Sequence, residues 1–372
     1  MKITRLEMFH VRPRWLFLKM HTDVGIVGLG EPIMEARALT VETAVREMER
    51  WLIGQDPRRI EHIWQTLYRS AFYRNGPVLT SALSGVEQAL WDILGKSLGV
   101  PVYQLLGGRV RDKIRMYGWI RGVIAEEYIN AIKGSMREHG FTAYKMGPIP
   151  AMRMIETPAA MAKIVEFVAA VREAAGDDID IGVDFHGRTS PALSKRLCRM
   201  IEPYHPMFVE EPVLPGDTLA LKELSRATTI PIATGERLFT RWGFQDIIEQ
   251  EAVAIIQPDL SHAGGILEVR KIAAMAESRN IAVAPHCPLG PIALAASLQL
   301  AACTPNFLCQ EHVTLGETYL KEPFKVVNGY IDVPTKPGLG IELDDEKVQA
   351  GLFDGKWDNP KWWLEDGSFA EW

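Results

Sequence analysis

The sequence predicts an α/β protein, a (β/α) barrel preceded by a smaller α+β domain, on three observations. From Ile114 onward, short apolar runs alternate with helical segments, the pattern of parallel strands joined by crossover helices. Eight such runs can be counted, which closes a barrel rather than extending an open sheet. The 372 residues exceed one ordinary domain but accommodate a barrel of about 250 residues and a companion. The expected division is 1–112 for the α+β domain, 113–320 for the barrel and 321–372 for a segment that returns to the first domain.

The first thirty residues read as strands. Leu16 to His21 and Ile26 to Gly30 flank Thr22-Asp23-Val24-Gly25, which suits a hairpin turn. Thr40 to Leu52, Ile60 to Tyr68 and Val78 to Leu98 then carry apolar residues at helical intervals, until Gly99, Pro101 and Gly107-Gly108 stop the pattern. The barrel strands are expected at Ile114 to Trp119, Thr142 to Met146, Asp180 to Phe185, Met207 to Glu210, Pro231 to Ala233, Val253 to Gln257, Ala282 to Pro285 and Phe307 to Glu311. Helices such as Ala159 to Ala174, Ile266 to Ser278 and Ile292 to Ala302 fall between them. After Glu311 the chain turns irregular and rich in Gly and Pro. Its Trp357, Trp362, Trp363 and Trp372 suit either a subunit interface or the core.

A net charge of −6 without any long Lys/Arg run argues against nucleic acid or an anionic membrane as the main partner and for a small molecule. No apolar stretch of about 18 residues is free of charge, and the start lacks the apolar core of a signal peptide, so the expected location is the cytoplasm. Cys198, Cys287, Cys303 and Cys309 show no metal-finger spacing and sit in apolar surroundings, as reduced buried thiols do.

Barrel enzymes place reacting groups at the C-terminal ends of their strands. Here the second strand ends at Lys145, the third at Asp184 with His186 two residues on, the fourth at Glu210-Glu211 and the fifth near Glu236. The sixth runs into Asp259, the seventh into His286 and the eighth into Glu311. From Asp184 onward the steps are 26, 26, 23, 27 and 25 residues, about one βα unit each, so these groups share one rim. So many like charges repel unless something neutralises them.

Asp184, Glu210 and Glu236 on successive strands are oxygen ligands of the kind Mg²⁺ takes, one ion per subunit, with Mn²⁺ an equal fit. Asp259 can hold His286 in one tautomer and raise its basicity, which makes His286 a general base. His186, in phase with Asp184, is the natural second acid. Lys145 can neutralise a substrate carboxylate opposite the metal, or else form an ion pair with one of the ligands. Glu311, if kept protonated by its neighbours, can donate a hydrogen bond to an enediolate oxygen.

The residues that carry this chemistry resemble the mandelate racemase branch of the enolase superfamily over nearly the whole chain. The matching pieces are Arg14-Trp15-Leu16-Phe17-Leu18-Lys19, Phe72-Tyr73-Arg74-Asn75-Gly76-Pro77, Ala89-Leu90-Trp91-Asp92, Asp184-Phe185-His186-Gly187-Arg188, Glu210-Glu211-Pro212-Val213 and Gly235-Glu236-Arg237. The run from Gln257 through Asp259 to Gly265 and the run Ala284-Pro285-His286-Cys287-Pro288-Leu289-Gly290-Pro291 complete the set.

The resemblance implies a (β/α)7β-type modified barrel with an N-terminal capping domain, and dehydration of a sugar acid. In that reaction His286 removes the proton α to the carboxylate and His186 protonates the departing 3-hydroxyl. That such sites use a Lys or His base with Mg²⁺ is itself a general rule of the superfamily. Arg14, Trp15, Tyr73, Arg74 and Arg237 are the implied substrate contacts, and a symmetric homo-oligomer is the implied assembly.

The loop Gly147-Pro148-Ile149-Pro150-Ala151-Met152 and the short segment after Glu311 depart from the pattern, and both border the pocket. Substrate stereochemistry and chain length therefore stay open, a gluconate-like aldonic acid among them. An epimerase or racemase on the same scaffold is the alternative chemistry, although Gly147 stands where a second base is needed. A non-catalytic barrel is the third reading, and it leaves the costly ring of like charges without a purpose.

Overall fold

The computed structural model describes residues 1–70, 72–313 and 317–372. Three antiparallel strands, β1 (Ile3–Val11), β2 (Trp15–Thr22) and β3 (Val27–Gly30), open the chain. Strand β2 does not alternate: Trp15, Leu16, Phe17 and Leu18 are all buried, because both of its faces are covered. The helix Pro77–Leu98 packs against β2 and β3, and the Phe17 ring meets Tyr319 edge-on at 5.6 Å.

The same helix is buried nearly all round, and two carboxylates tie this region to the barrel. Glu87 of the helix accepts the N–H groups of Ile266 (2.7 Å) and Leu267 (2.9 Å), which start the helix Ile266–Glu277. Glu31 accepts those of Gly290 (2.7 Å) and Ala293 (2.9 Å) at the start of the helix Pro291–Cys303. Each carboxylate meets donors that a helix N-terminus leaves unpaired.

The barrel strands are β4 (Lys113–Ile120), β5 (Ala143–Met146), β6 (Asp180–Asp184), β7 (Phe208–Glu210), β8 (Ile232–Thr234), β9 (Ile255–Ile256), β10 (Ala282–Val283) and β11 (Gln310–His312). They run parallel in the order β10-β9-β8-β7-β6-β5-β4-β11, and a bridge from Val283 to Phe307 brings the eighth unit back to β10. The expected strands and barrel are thus present. An added strand, β12 (Tyr330–Asp332), pairs antiparallel with the foot of β4.

The chain after β12 then reaches the first domain, where Leu352 bridges Val11 and the N–H of Phe353 bonds to His10 at 3.1 Å. All four cysteines are free and buried, and among the described residues no helix is long and apolar enough to cross a membrane.

A separate apolar cluster of Tyr117, Ala143, Phe208, Ala233, Ile255, Ala284 and Cys309 fills the barrel interior. Gly182 completes the layer as an empty position, since a Cβ there would lie 2.5 Å from the Phe208 ring. Side chains alternate along a strand, so the residues two further on also point inward, one layer nearer the mouth. Those residues are Trp119, Lys145, Glu210, Gln257, His286, Glu311 and, from Gly182, Asp184. The polar ring of the mouth is therefore the next turn of the same pleat that packs the core.

Candidate active site

The ring opens into a cavity of about 1060 Å³ walled by the barrel mouth, the first domain and the chain beyond Trp357. Asp184 and Glu210 are direct partners in the register of β6 and β7. Strand β8 breaks phase: Ala233 is followed two residues on by Gly235 (φ 146°), a conformation open to glycine, and Glu236 occupies the next position on the cavity wall. Glu211, with φ 42°, turns away from its neighbour and instead binds Thr234 and the Arg237 guanidinium (Nε to Oε2 2.9 Å).

Lys145 is fully buried beneath the carboxylates. Its Nζ lies 2.6 Å from Glu210, 2.9 Å from Glu311 and 3.8 Å from Asp184, and 4.4 Å from the centre of the Trp119 ring. Burial works against this ammonium, yet Glu210 and Glu311 hold its pKa well above the ordinary lysine value. The structure shows this ammonium in the ion-pair arrangement.

Burial pushes the Glu210 pKa up, with Asp184, Glu236 and Glu311 adding to it and Lys145 opposing. Despite its burial, Lys145 and His286 lower the Glu311 pKa, and its carboxylate accepts from Lys145, the Trp119 indole and the Cys287 N–H (2.6 Å).

His286 and Asp259 form the expected pair, Nδ1 to Oδ2 2.9 Å, with Asp259 fixed in turn by the N–H of Ser261 at 2.7 Å. The other nitrogen, Nε2, lies 3.4 Å from Glu236. Burial lowers the imidazole pKa, but Glu236, Glu311 and Asp259 draw it up to about 10. Burial raises the Glu236 pKa, and His286, His186 and Lys145 outweigh that and bring it to about 2.

His186 also lines the cavity, but a turn rather than strand alternation puts it there. Strand β6 ends at Asp184, His186 has φ 53°, and its N–H bonds back to Asp184 Oδ1 at 2.7 Å. Its Nδ1 meets the main-chain oxygen of Trp372.

Of the expected substrate contacts, Arg14 and Arg237 line the cavity, and Arg14 pairs with Glu35 at 2.6 Å. Trp15, Tyr73 and Arg74 do not. Trp15 is packed inside the first domain, Tyr73 is 84% exposed, and Arg74 stacks on Tyr68 beside a separate small hollow. The sequence reading missed Trp119 and Gln257, whose Nε2 donates to Glu210 at 2.7 Å, although both share the phase of the mouth residues. It also missed Arg188, which sits 3.9 Å over the Trp362 ring. Trp357, Trp362 and Trp372 line the cavity rather than filling the core.

Among the described residues no three His, Cys, Asp or Glu side chains already stand so that they could hold a metal ion. Glu210 is engaged by Lys145 and Gln257, and Glu236 faces His286. The donor set nonetheless fits a hard dication in kind and place. Asp184 and Glu210 are register partners, Glu236 follows on the next strand, and all are oxygen donors. Lys145 and His286 are the cations in closest contact with Asp184, Glu210, Glu236, Asp259 and Glu311, which leaves negative charge in excess.

Residues 10–107 match the mandelate racemase / muconate lactonizing enzyme N-terminal domain, and residues 127–348 match the enolase C-terminal domain-like family. D-galactonate dehydratases of Cronobacter sakazakii and Variovorax paradoxus are 49% and 48% identical over the full length of both chains. An enolase from Agrobacterium radiobacter, solved with sodium and L-malate bound, superposes with a TM-score of 0.93 at 29% identity over all of both chains. A mandelate racemase/muconate lactonizing enzyme-like protein from Roseovarius sp. TM1035 gives 0.91 at 34% identity, covering 96% of this chain and 97% of that one. The chain belongs to the enolase superfamily, in its mandelate racemase branch.

Proposed function

We propose that the protein is a sugar-acid dehydratase that converts D-galactonate to 2-dehydro-3-deoxy-D-galactonate, with one Mg²⁺ per subunit held by Asp184, Glu210 and Glu236. The observation that carries the reading is the pair of histidines on one cavity, each held through Nδ1 (His286 by Asp259, His186 by Trp372), with Nε2 as the nitrogen assigned to the reaction. Elimination of water needs one base and one separate acid.

His286 Nε2 takes the proton on C2, and the electron pair moves into the substrate carboxylate as an enediolate. As that pair returns to form the C2–C3 double bond, the C3–O bond breaks, and the proton from His186 leaves with the hydroxyl as water. The resulting enol then tautomerises to the 2-keto acid. A dication held at the three carboxylates would stabilise the charge that builds on the substrate carboxylate and offset the negative field that holds the proton on His286.

Lys145 counters charge from below, and Glu311 anchors Lys145, Trp119 and the backbone after His286. Arg14 and Arg237 are assigned to the substrate. A division at 112/113 and 320/321, a cytoplasmic location and a symmetric homo-oligomer belong to the same reading.

The test is incubation of the protein and Mg²⁺ with D-galactonate, gluconate and other four- to six-carbon aldonic and aldaric acids, with semicarbazide detection of 2-keto acids. D-galactonate should give the product; no keto acid from any of them, or return of deuterated starting material in D₂O, overturns the assignment.

A further inference from the structure

The chain from Trp357 to Trp372 is irregular in sequence, yet it is a built element. Trp363 stacks on Phe369 at 4.2 Å, the N–H of Leu364 bonds to Ser368 at 2.8 Å, and that of Ala370 bonds to Trp362 at 3.0 Å. This small hairpin is pinned at the cavity by stacking on two site cations: Trp357 under Arg14 at 4.7 Å and Trp362 under Arg188 at 3.9 Å. Its far end carries Trp372 onto His186, with the ring edge-on at 5.1 Å and the main-chain oxygen at Nδ1.

We infer that Trp372 is a positioning residue for His186: its main-chain oxygen fixes the Nδ1–H tautomer and the ring orientation, and the hairpin that carries it forms a wall of the active site. That oxygen is an acceptor, so the contact favours the tautomer that carries hydrogen on Nδ1. His186 needs such a partner because it stands on a left-handed turn beyond the end of β6, where no ladder holds it. Asp259 performs the same task for His286 with a side chain. The two histidines are thus set by parallel devices, one of which comes from the most distant part of the sequence.

This inference rests on the proposed role of His186 as the acid, so its test has an arm that needs no turnover. In the full chain labelled with ¹⁵N-histidine, the His186 resonances, assigned with His186→Asn, should report a proton held on Nδ1. In a variant truncated after Ala370 they should move toward an average of both tautomers. An unchanged His186 spectrum in the truncated protein overturns the inference, whatever the reaction proves to be.

In the activity arm, truncation should lower dehydration of D-galactonate about 10²- to 10⁴-fold in kcat, the range of one proton-transfer group. Exchange of the C2 proton with D₂O, which depends on His286, should fall by less than threefold. The 3-deoxy-3-fluoro analogue, whose fluoride leaves without an acid, should likewise be spared. Trp372→Phe keeps the main-chain oxygen and a ring, and it should recover at least tenfold of the loss. Equal loss of dehydration, exchange and fluoride release would mean general damage and refute the role. Failure of the wild-type protein to dehydrate any acid would count against the proposed function alone, because the ¹⁵N result then decides the inference.

Discussion

Lys145 Nζ lies 2.6 Å from Glu210 Oε1, and both side chains are fully buried at the bottom of the barrel mouth. Removing one partner of such a pair leaves an uncompensated charge away from water. Lys145→Met should therefore destabilise the fold by about 3–5 kcal/mol, read by urea unfolding. A loss below about 1 kcal/mol would mean that the ammonium is not the counter-charge the carboxylates need.

The excess of carboxylates over close cations predicts stabilisation by a dication. Mg²⁺ at a hundred times its dissociation constant should add about 2.7 kcal/mol to unfolding, with a corresponding rise in Tm. Asp184→Asn and Glu236→Gln should each weaken binding at least tenfold by calorimetry, whereas Glu61→Gln, on the outside of the first domain, should leave it unchanged. Equal binding by all three variants would locate the ion elsewhere.

The Asp259 contact predicts a different failure from the one at Trp372. Asp259→Asn preserves the shape of the pair but offers a donor where His286 Nδ1 donates, which favours the wrong tautomer. Turnover should fall about 10²- to 10⁴-fold, and C2 proton exchange followed by ¹H NMR in D₂O should fall with it. Exchange that survives in Asp259→Asn would remove His286 from the role of base.

These roles differ in how plainly the sequence displays them, for a physical reason. Lys145, Asp184, Glu210, His286 and Glu311 are charged or ionisable residues two positions beyond an inward-facing small or apolar one, and the barrel pleat carries them to the mouth without help from packing. Trp119 and Gln257 obey the same phase but bear no charge, so nothing separated them from ordinary strand ends. Glu236 is out of phase because of Gly235, and only the spacing of the βα units pointed to it. The placements of Trp362 and Trp372 depend on irregular chain folding back over the mouth, and no period encodes that. Tyr73 and Arg74 show the converse, since their family motif matches while their side chains lie away from the cavity.

The carboxylates that join the first domain to the barrel make stability depend on pH. Burial pushes Glu87 and Glu31 up to about 8, and the backbone N–H groups at the two helix starts only partly oppose it. A carboxyl whose folded pKa lies above its unfolded value near 4.5 favours the folded state fully below that value, and the contribution is lost as pH rises toward 8. Glu87→Gln replaces the acid with a neutral group that cannot titrate, at the cost of an amide facing donors from Ile266 and Leu267. That mismatch costs about 1–3 kcal/mol at low pH. The wild-type advantage should then shrink steadily between pH 5 and pH 8, measured as the difference in unfolding free energy. A difference that stays constant, or that widens with pH, would show that the helix N-terminus holds Glu87 as an anion and that the donors outweigh burial.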